Sequence, residues 1–370
     1  MWLLLAALVA GSLVYCVLVV VAARRYLSVR PFILEQVIPI SILKPLSGAD
    51  EGLEENLRSF FTQDYPNFEI LLAVRQREDP AVAIAEALRR EFYWVRCQIL
   101  IVGEPPYPNA KVFSLDRMMA AAANDVLVMS DSDIRVSPDM LRVVAAEFHD
   151  PRLGVATCPY RAVAGQSFWS QLEAAGMNTE FLGGVLVARM LEGMKFAVGP
   201  TIVARKQALQ EIGGFNRLKD YLAEDFVMGQ FAAEAGWRVS LSSYVVEHRI
   251  GSETLAANAA HRLRWSRSTR RSRPAGYVGQ IFTNPLPLAV MLVLARPEWW
   301  PVLILTAIIR AMAALATTAS ILHCETRWEL IAIQDLLSFV FWIAGFFGNT
   351  ILWRGKKYYL KADGRFEPVG

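Results

Sequence analysis

An uncharged apolar run opens the sequence and constrains the fold more than any other feature. Residues 2–22, WLLLAALVAGSLVYCVLVVVA, carry no charge, and about 20 apolar positions are enough for a helix to cross a bilayer. A cleaved signal peptide is the alternative. That signal has a cationic stretch before a shorter apolar core, and no cationic side chain precedes this run. We therefore predict a retained transmembrane anchor over residues 1–24.

Two more apolar runs of spanning length lie near the other end of the sequence. They cover residues 299–322 and 330–353. The run 281–295 is shorter and contains two prolines, which is typical of a re-entrant or interfacial segment. We predict a C-terminal membrane region over residues 278–354, with two transmembrane helices.

Basic residues next to the apolar runs predict their orientation. Cytoplasmic flanks carry an excess of lysine and arginine. Such residues follow the first and the last run: Arg24, Arg25, Arg30, Arg354, Lys356, Lys357 and Lys361. Because both flanks are then cytoplasmic, we predict an external amino terminus, a cytoplasmic body and a cytoplasmic tail over residues 355–370. An Ala/Arg-rich composition without an N-x-S/T sequence favours a bacterial inner membrane.

Between the membrane segments, residues 36–275 alternate strand and helix patterns. The predicted strands are 40–46, 68–75, 96–103 and 126–129, and the predicted helices between them are 51–63, 80–92 and 112–123. This alternation predicts an α/β domain with a largely parallel, doubly wound sheet. Such sheets bind ligands at the carboxyl ends of their strands. The sequence contains neither a G-x-G-x-x-G motif nor a Walker motif, so neither a dinucleotide fold nor a P-loop is supported.

Two carboxylates, Asp131 and Asp133, directly follow the apolar strand 126–129. One interpretation is a turn that caps the next helix, because Asp and Ser favour such positions. Another is the nucleophile and acid pair of a phosphatase, but that pair normally follows the first strand of its domain. The third is a divalent-cation site, in which the two carboxylates hold Mg²⁺ or Mn²⁺ against a diphosphate.

A second acidic pair, Glu224 and Asp225, opens a predicted helix. Acidic residues stabilise helix amino termini through the helix dipole, so a purely structural interpretation is available. The functional interpretation makes Asp225 a general base that takes a proton from an acceptor hydroxyl.

Six arginines crowd the segment 262–273, which precedes the C-terminal apolar runs. Most of this segment is interpreted as a solvated or headgroup-facing surface. Trp265 lies within the run, which favours a packed or substrate-facing position, and its neighbour Arg264 is then a candidate partner for a leaving phosphate. With 38 Lys and Arg against 35 Asp and Glu, the formal net charge is only +3. That charge, and the lack of any recognised module, argue against nucleic-acid binding.

Taken in order, these motifs resemble the ceramide glucosyltransferase family of membrane-anchored, inverting GT-A glycosyltransferases. The resemblance extends over nearly the whole chain. It is carried by SILKPLSGADEGLEENLRSFFTQDYPNFEILLAV, EDP, NAK, DSDIRV, GGF, AEDF, RWSR and WRGKKYYL. It implies a Rossmann-like GT-A catalytic domain with transmembrane helices at both ends.

The resemblance also implies a role for each matching residue. Asp79 would contact the nucleoside of a UDP-sugar, Asp131 and Asp133 would engage its diphosphate through the metal, and Asp225 would be the catalytic base. The other implied substrate-binding residues are Asn109, Lys111, Glu224, His261, Arg264 and Trp265. Two positions depart from the family pattern: His261 replaces a Gln or Arg before the Arg-Trp pair, and Ser114 replaces an Asn.

The implied activity is transfer of a sugar, most simply glucose, from a UDP-sugar to the hydroxyl of a membrane lipid such as ceramide, giving a β-glycolipid. Transfer of N-acetylglucosamine to a hopanoid polyol would use the same motifs. A catalytically silent membrane scaffold of the same fold is the alternative from another class, although intact Asp131, Asp133, Asp225 and Arg264 argue against it. The sequence carries no signal for an oligomeric state.

Overall fold

A computed structural model describes residues 2–27, 37–353 and 355–369. Arg30, Arg354 and the predicted domain start at residue 36 lie outside the described residues. The helices are α1 (Trp2–Leu27), α2 (Leu53–Phe61), α3 (Pro80–Glu91), α4 (Ala110–Ala121), α5 (Met140–Glu147), α6 (Phe168–Gly176), α7 (Leu182–Glu192), α8 (Lys206–Glu211), α9 (Gly214–Leu218), α10 (Glu224–Glu234), α11 (Leu255–Ser272), α12 (Pro274–Gly279), α13 (Pro285–Ala295), α14 (Trp300–Thr318) and α15 (Trp328–Gly345). The strands are β1 (Ile40–Pro45), β2 (Phe68–Val74), β3 (Arg96–Ile101), β4 (Val126–Ser130), β5 (Ile134–Arg135), β6 (Leu153–Thr157), β7 (Tyr160–Val163), β8 (Thr201–Arg205), β9 (Arg238–Leu241), β10 (Val246–Arg249), β11 (Thr350–Trp353), β12 (Lys356–Leu360) and β13 (Phe366–Pro368).

The chain divides into two compact units. The sheet unit comprises Arg30–Tyr160 and Met194–Gly251, and the helical unit comprises Met1–Val29, Arg161–Gly193 and Ser252–Gly370. The sequence prediction placed residues 161–193 and 252–275 within the α/β domain. In the structure these residues belong to the helical unit, where α6 and α11 pack on α15 and α7 packs on α1.

The sheet unit is built on seven strands in the order β3-β2-β1-β4-β8-β6-β9. The first four of these strands pair in parallel, whereas β8 runs antiparallel to both β4 and β6. Strands β1, β2 and β4 are apolar and almost fully buried, as expected for strands covered on both faces. The predicted largely parallel α/β sheet is therefore confirmed, with β8 as the antiparallel exception.

Among the residues that the structure describes, the helical unit contains three helices long and apolar enough to cross a membrane: Trp2–Leu27, Pro297–Thr318 and Trp328–Gly345. The segments Pro274–Thr283 and Pro285–Ala295 also qualify as a pair, but they bend by 62° at Asn284. Proline at the start of the second segment removes a backbone donor and so favours this break. The three candidate spans agree with the predicted transmembrane helices.

The last apolar run ends as a helix earlier than its composition predicts. The span was predicted over residues 330–353, but α15 stops at Gly345, and Gly348 then adopts a left-handed φ of 75°. Residues 350–353 form β11, which pairs with β12 in a three-stranded antiparallel sheet. The predicted tail over 355–370 thus includes β12 and β13. Apolar composition does not distinguish a spanning helix from a helix followed by a half-buried strand.

Candidate active site

The loop after β4 presents the predicted metal pair and is held from two sides. The Asp131 N–H donates to the Pro200 carbonyl at 2.9 Å, just before β8. Lys44, at the end of β1, donates from Nζ to the Asp131 carbonyl at 2.6 Å. Lys44 is fully buried with its Nζ over the Phe60 ring. Burial lowers the pKa of Lys44 to about 7, against the opposing effect of Asp133 and Asp131.

Lys111 joins the two acidic motifs that the sequence singled out. Its Nζ lies 2.7 Å from Asp131 Oδ1 and 3.3 Å from Glu224 Oε1. These two carboxylates hold the pKa of Lys111 above its usual range, although burial alone would lower it. Burial raises the pKa of Asp131, and the Lys111 ammonium opposes that change. The Lys111 ammonium group therefore bridges the loop after β4 and the first turn of α10.

Asp133 pairs with a histidine from a distant part of the chain. His248 Nε2 lies 3.0 Å from Asp133 Oδ2, because β10 pairs antiparallel with β5 and sets His248 opposite Ile134. The Tyr160 ring packs edge-on against the imidazole. Burial would raise the pKa of Asp133, but His248 brings it below its usual value.

The donor set at this loop fits a divalent cation. Asp133 Oδ1 is buried without a hydrogen-bond partner among the described residues, and a buried carboxylate oxygen left unpaired is costly. Carboxylate oxygens and imidazole nitrogen are both ligands of Mn²⁺, and the oxygens also suit Mg²⁺. Asp133 and His248, with Asp131 two residues before Asp133 on the same loop, are thus candidate ligands for the predicted metal, while Asp131 Oδ1 is paired with Lys111.

Asp225 is the half-buried carboxylate in the first turn of α10. Its Oδ2 accepts a hydrogen bond from the Gly199 N–H at 2.7 Å. Helix α10 lies close to the segment before β8 that contains Gly199, since a Cβ on Gly229 would lie 2.1 Å from the Ala197 nitrogen. Burial and the neighbouring Glu224 carboxylate raise the pKa of Asp225 to about 6, against the opposing effect of Lys111. A carboxyl group with this pKa suits general base catalysis near neutral pH.

Asp79 and Asn109 hold backbone in the sheet unit. Asp79 caps α3 by accepting from the Ala81 N–H at 2.9 Å, and it also accepts from the Gly48 N–H at 3.0 Å. Asn109 is fully buried; its Oδ1 caps α4 and its Nδ2 donates to the Tyr221 carbonyl. These contacts position the loop after β1 and the approach to α10. The substrate contacts implied for both residues stay predictions.

The remaining predicted site residues, His261, Arg264 and Trp265, lie on α11 in the helical unit. His261 Nδ1 is 2.6 Å from Glu173 Oε1, and its ring packs edge-on against Trp265 at 5.0 Å. Burial would raise the pKa of Glu173, but His261 brings it below its usual value. The ligand atoms of Glu173, Glu253 and His261 lie within 4.8 Å of one another, a spacing that a cation could bridge.

Part of the arginine-rich segment binds backbone, a role that the sequence prediction did not assign to it. Arg267 donates to the Phe347 carbonyl at 3.1 Å, and Arg270 donates to the Gly348 carbonyl at 2.7 Å and to Asn349 Oδ1. Arg271 also donates to Asn349 Oδ1. These contacts hold the turn between α15 and β11. The last carbonyls of a helix lack partners within it, and Arg270 also donates to the carbonyl of Phe346, the C-cap residue of α15, so this arginine caps the helix.

Sequence reasoning missed two residues of the site, Lys44 and His248. The sequence offered a signal for Lys44, because a lysine at the end of an apolar strand must find a partner when that strand is buried. For His248 the sequence offers no such signal. Its sequence neighbourhood gives no hint of Asp133, which lies 115 positions away.

Comparison with known proteins gives a family and several relatives. The family model described as glycosyl transferase family 21 matches residues 3–366. Ceramide glucosyltransferase 1 of Caenorhabditis elegans is 30% identical over 207 residues, covering 55% of this chain and 44% of the relative. A ceramide glucosyltransferase of Komagataella phaffii is 38% identical over 117 residues, covering 30% and 22% respectively. The chain spans about half the length, or less, of these curated relatives.

A solved structure supports the fold. A mannosyltransferase from Pyrobaculum calidifontis, in complex with GDP-Man and Mn²⁺, superposes with a TM-score of 0.56 at 18% identity, covering 93% of this chain and 97% of that one. The predicted GT-A fold and the resemblance to ceramide glucosyltransferases are both confirmed. The family match extends over nearly all of the sequence, through both units, and the chain belongs to glycosyl transferase family 21.

Proposed function

We propose that the protein is an inverting glycosyltransferase that moves a sugar, most simply glucose, from a UDP-sugar to a hydroxyl of a membrane lipid, most simply ceramide. The observation that carries this proposal is the position of the Asp225 carboxylate, which accepts a hydrogen bond from the Gly199 N–H. Lys111 links α10, the helix of Asp225, to the acidic loop after β4. The curated relatives named ceramide glucosyltransferase support the choice of sugar and acceptor.

In the proposed reaction Asp225 acts as the general base. The lipid hydroxyl attacks the anomeric carbon of the donor from the face opposite the diphosphate. A carbon–oxygen bond to the lipid forms as the bond to the diphosphate oxygen breaks, so the configuration inverts and UDP leaves. The hydroxyl proton passes to Asp225. With its pKa raised to about 6, this carboxylate is both largely ionised at neutral pH and basic enough to accept the proton.

The acidic loop after β4 serves the leaving group in this proposal. Asp131, Asp133 and His248 would hold Mg²⁺ or Mn²⁺, which when bound supplies positive charge for the departing diphosphate. Lys111 keeps the loop and the first turn of α10 together, and His248 orients Asp133. Substituting the histidine therefore tests the cation site without altering either carboxylate.

The three candidate spans support a lipid acceptor, since a hydroxyl at the membrane surface need not leave the bilayer to react. We place the protein in a bacterial inner membrane with the sheet unit on the cytoplasmic side, from the basic residues that follow the first apolar run. Maleimide labelling of the native Cys324, after Cys97→Ala, tests this orientation.

Trp2 and Trp299, at the starts of α1 and α14, lie 5.8 Å apart, and Val9 packs in one cluster with Val302 and Leu303, so the two helices run in the same direction. Cys324, after α14, is then on the same side as the carboxyl end of α1. Labelling from the cytoplasm is expected, and labelling only from the outside would contradict this orientation.

The activity is tested with membranes that contain the protein, Mn²⁺ or Mg²⁺, and a panel of radiolabelled UDP-sugars, with ceramide and hopanoid polyols both supplied. We expect label to enter lipid from UDP-glucose and the Asp225→Asn variant to lose at least about 10²–10⁴-fold in rate. UDP binding by that variant, measured by calorimetry, should be retained. Near-normal transfer by Asp225→Asn would refute the base assignment, and transfer from another UDP-sugar would correct the donor.

A further inference from the structure

A π-helix in the helical unit brings Glu180 next to the bend at Asn284. The π-helix covers Met177–Phe181, and π-helical turns within α-helices are frequent at functional sites. Thr283 Oγ1 donates to Glu180 Oε1 at 3.0 Å, and Asn284 Nδ2 donates to the same oxygen at 3.3 Å. Glu180 is half-exposed, so its carboxylate group is not sealed inside the unit.

The nearest buried ion pair does not neutralise this carboxylate. Arg310 donates to both oxygens of Asp335, at 2.8 to 3.2 Å, and to Thr179 Oγ1 at 3.2 Å. Arg310 and Asp335 are buried and form a salt bridge with each other. In the described part of the chain no salt bridge reaches Glu180, and its second oxygen, Oε2, has no hydrogen-bond donor. The pair is complete, and the Glu180 carboxylate retains one open oxygen.

Three polar side-chain atoms of the bend and of α1 are buried without a hydrogen-bond partner among the described residues: Asn284 Oδ1, Ser12 Oγ and Tyr15 Oη. Asn284 is 1% exposed and Ser12 is fully buried. Ser12 and Tyr15 are three residues apart and so share one face of α1. Tyr15 also lies within electrostatic range of Glu180.

Close packing places α1 against both the bend and α7, the helix that follows the π-helix. A Cβ on Gly11 would lie 2.6 Å from the Phe282 ring, so α1 passes directly beside the bend. A Cβ on Gly184, two residues into the helix after the π-helix, would lie 3.7 Å from Tyr15 Oη. Tyr15 and Asn284 therefore border the segment that carries Glu180, and Ser12 lies on the Tyr15 face of α1, next to the residue that packs on the bend.

Leaving such groups unpaired is costly. A buried polar group without a partner costs about 1–3 kcal/mol, and the hydrocarbon region of a membrane offers no water to pair with it. A structural polar network would be expected to satisfy its own members, as the Arg310–Asp335 pair does. The open hydrogen-bonding positions here indicate that a ligand completes them.

We propose that this cluster binds the polar head of an uncharged lipid that is rich in hydroxyl or amide N–H donors. Two of the open positions, Glu180 Oε2 and Asn284 Oδ1, only accept hydrogen bonds, whereas the Ser12 and Tyr15 hydroxyls can either donate or accept. A carboxylate repels phosphate, so a phospholipid head fits poorly. The identification of this lipid as the acceptor of the sugar rests on the proposed function.

Lipid binding is tested without turnover, in the full-length Asp225→Asn variant in nanodiscs, using fluorescently labelled N-octanoyl sphingosine. Asn284→Leu, Tyr15→Phe and Ser12→Ala are each expected to weaken binding about 5-fold, since each removes one hydrogen bond. Dioctanoyl phosphatidylglycerol is expected to bind at least 10-fold more weakly. Unchanged affinity in all three variants, or equal affinity for the phospholipid, would overturn the proposal.

A matched tyrosine distinguishes a ligand role from a structural one. Tyr277 is also in the helical unit, but its hydroxyl donates to the Trp342 carbonyl at 2.6 Å. Tyr277→Phe should therefore lower the melting temperature and leave lipid affinity unchanged. Tyr15→Phe should leave the melting temperature unchanged and weaken lipid binding, because the Tyr15 hydroxyl has no hydrogen-bond partner among the described residues. A lowered melting temperature for Tyr15→Phe, with unchanged lipid affinity, would mean that the cluster is structural.

The same variants separate failure of this inference from failure of the proposed function. In the otherwise wild-type protein they should raise KM for the lipid acceptor and leave KM for the UDP-sugar unchanged. Sugar transfer with acceptor KM unaffected by any of them would refute the lipid site and leave the transferase standing. Lipid binding that the variants weaken, in a protein that transfers no sugar, would refute the transferase and leave the site standing.

Discussion

The sheet unit and the helical unit both contain groups of acidic side chains, but they satisfy them differently. In the sheet unit Asp131, Asp133 and Asp225 each have a partner from another element: Lys111, His248 and the Gly199 N–H, although Asp133 Oδ1 stays open. In the helical unit one group is a closed ion pair, and the group around Glu180 leaves hydrogen-bonding atoms open.

This difference follows from the solvent that each unit meets. At the strand ends of the sheet unit, half-exposed carboxylates can be held in place and still exchange contacts with water or substrate. In a membrane, water cannot complete an unsatisfied group, so a polar cluster is either complete within the protein or completed by a lipid. An unpaired hydrogen-bonding atom in the helical unit is therefore stronger evidence for a bound ligand than one in the sheet unit.

The largest effect is expected from breaking the closed ion pair of the helical unit. Asp335→Asn leaves Arg310 buried without its counter-charge, and removing one partner of a buried pair costs about 3–5 kcal/mol. Thermal unfolding in detergent should show a marked fall in melting temperature. The double variant Arg310→Met/Asp335→Leu is the control, because it removes both charges and should recover most of the loss. If Asp335→Asn is as stable as the wild type, the pair is not a closed structural element.

In the sheet unit, His248→Ala tests whether the partner of Asp133 serves the cation site. Residues that orient metal ligands, or ligands themselves, typically change metal affinity about 10- to 100-fold when substituted. The Mn²⁺ concentration for half-maximal transfer should rise by that factor, and chelation of the metal should abolish transfer in both proteins. His149→Ala, at an exposed histidine of the same unit, should behave like the wild type. An unchanged Mn²⁺ requirement in His248→Ala would exclude a role at the metal.

The pH dependence of transfer should report the ionisation of Asp225. As a base it must be deprotonated, so the rate should rise as the pH increases through about 6, the raised pKa of this carboxyl group. The Glu224 carboxylate contributes to raising that pKa, and Glu224→Gln should therefore move the rise to lower pH. Glu234→Gln, at the exposed far end of α10, is the matched control. A shift to higher pH in Glu224→Gln would contradict this electrostatic account.

The smallest effect concerns the arginine cap of α15. Arg270→Ala removes hydrogen bonds to the Phe346 and Gly348 carbonyls, but these groups are partly exposed and water can replace the arginine. We expect a loss of about 1 kcal/mol in stability with the lipid affinity unchanged. Arg89→Ala in the sheet unit, where the exposed arginine pairs with Glu86, should cost less. Equal losses of stability would mean that the cap of α15 stabilises the protein no more than a surface ion pair does.

The sequence by itself determined the features that depend on local pattern. Uncharged runs of spanning length predicted the three candidate transmembrane helices, and alternating periodicity predicted β1 to β4 and the helices between them within a few residues. The pair Asp131 and Asp133 was placed at a strand end because an apolar run stops directly before it. These predictions hold because burial on both faces of a strand, or in lipid, fixes residue type along the chain itself.

The tertiary structure decided what depends on contacts between distant segments. Pairing of β10 with β5 brought His248 to Asp133, and the antiparallel insertion of β8 follows from sheet pairing that no local pattern specifies. The end of α15 at Gly345 and the cluster around Glu180 likewise rest on partners more than 70 positions away. A side chain's own neighbourhood in sequence does not record which distant group will satisfy its hydrogen bonds, and that choice sets both the candidate catalytic site and the proposed lipid site.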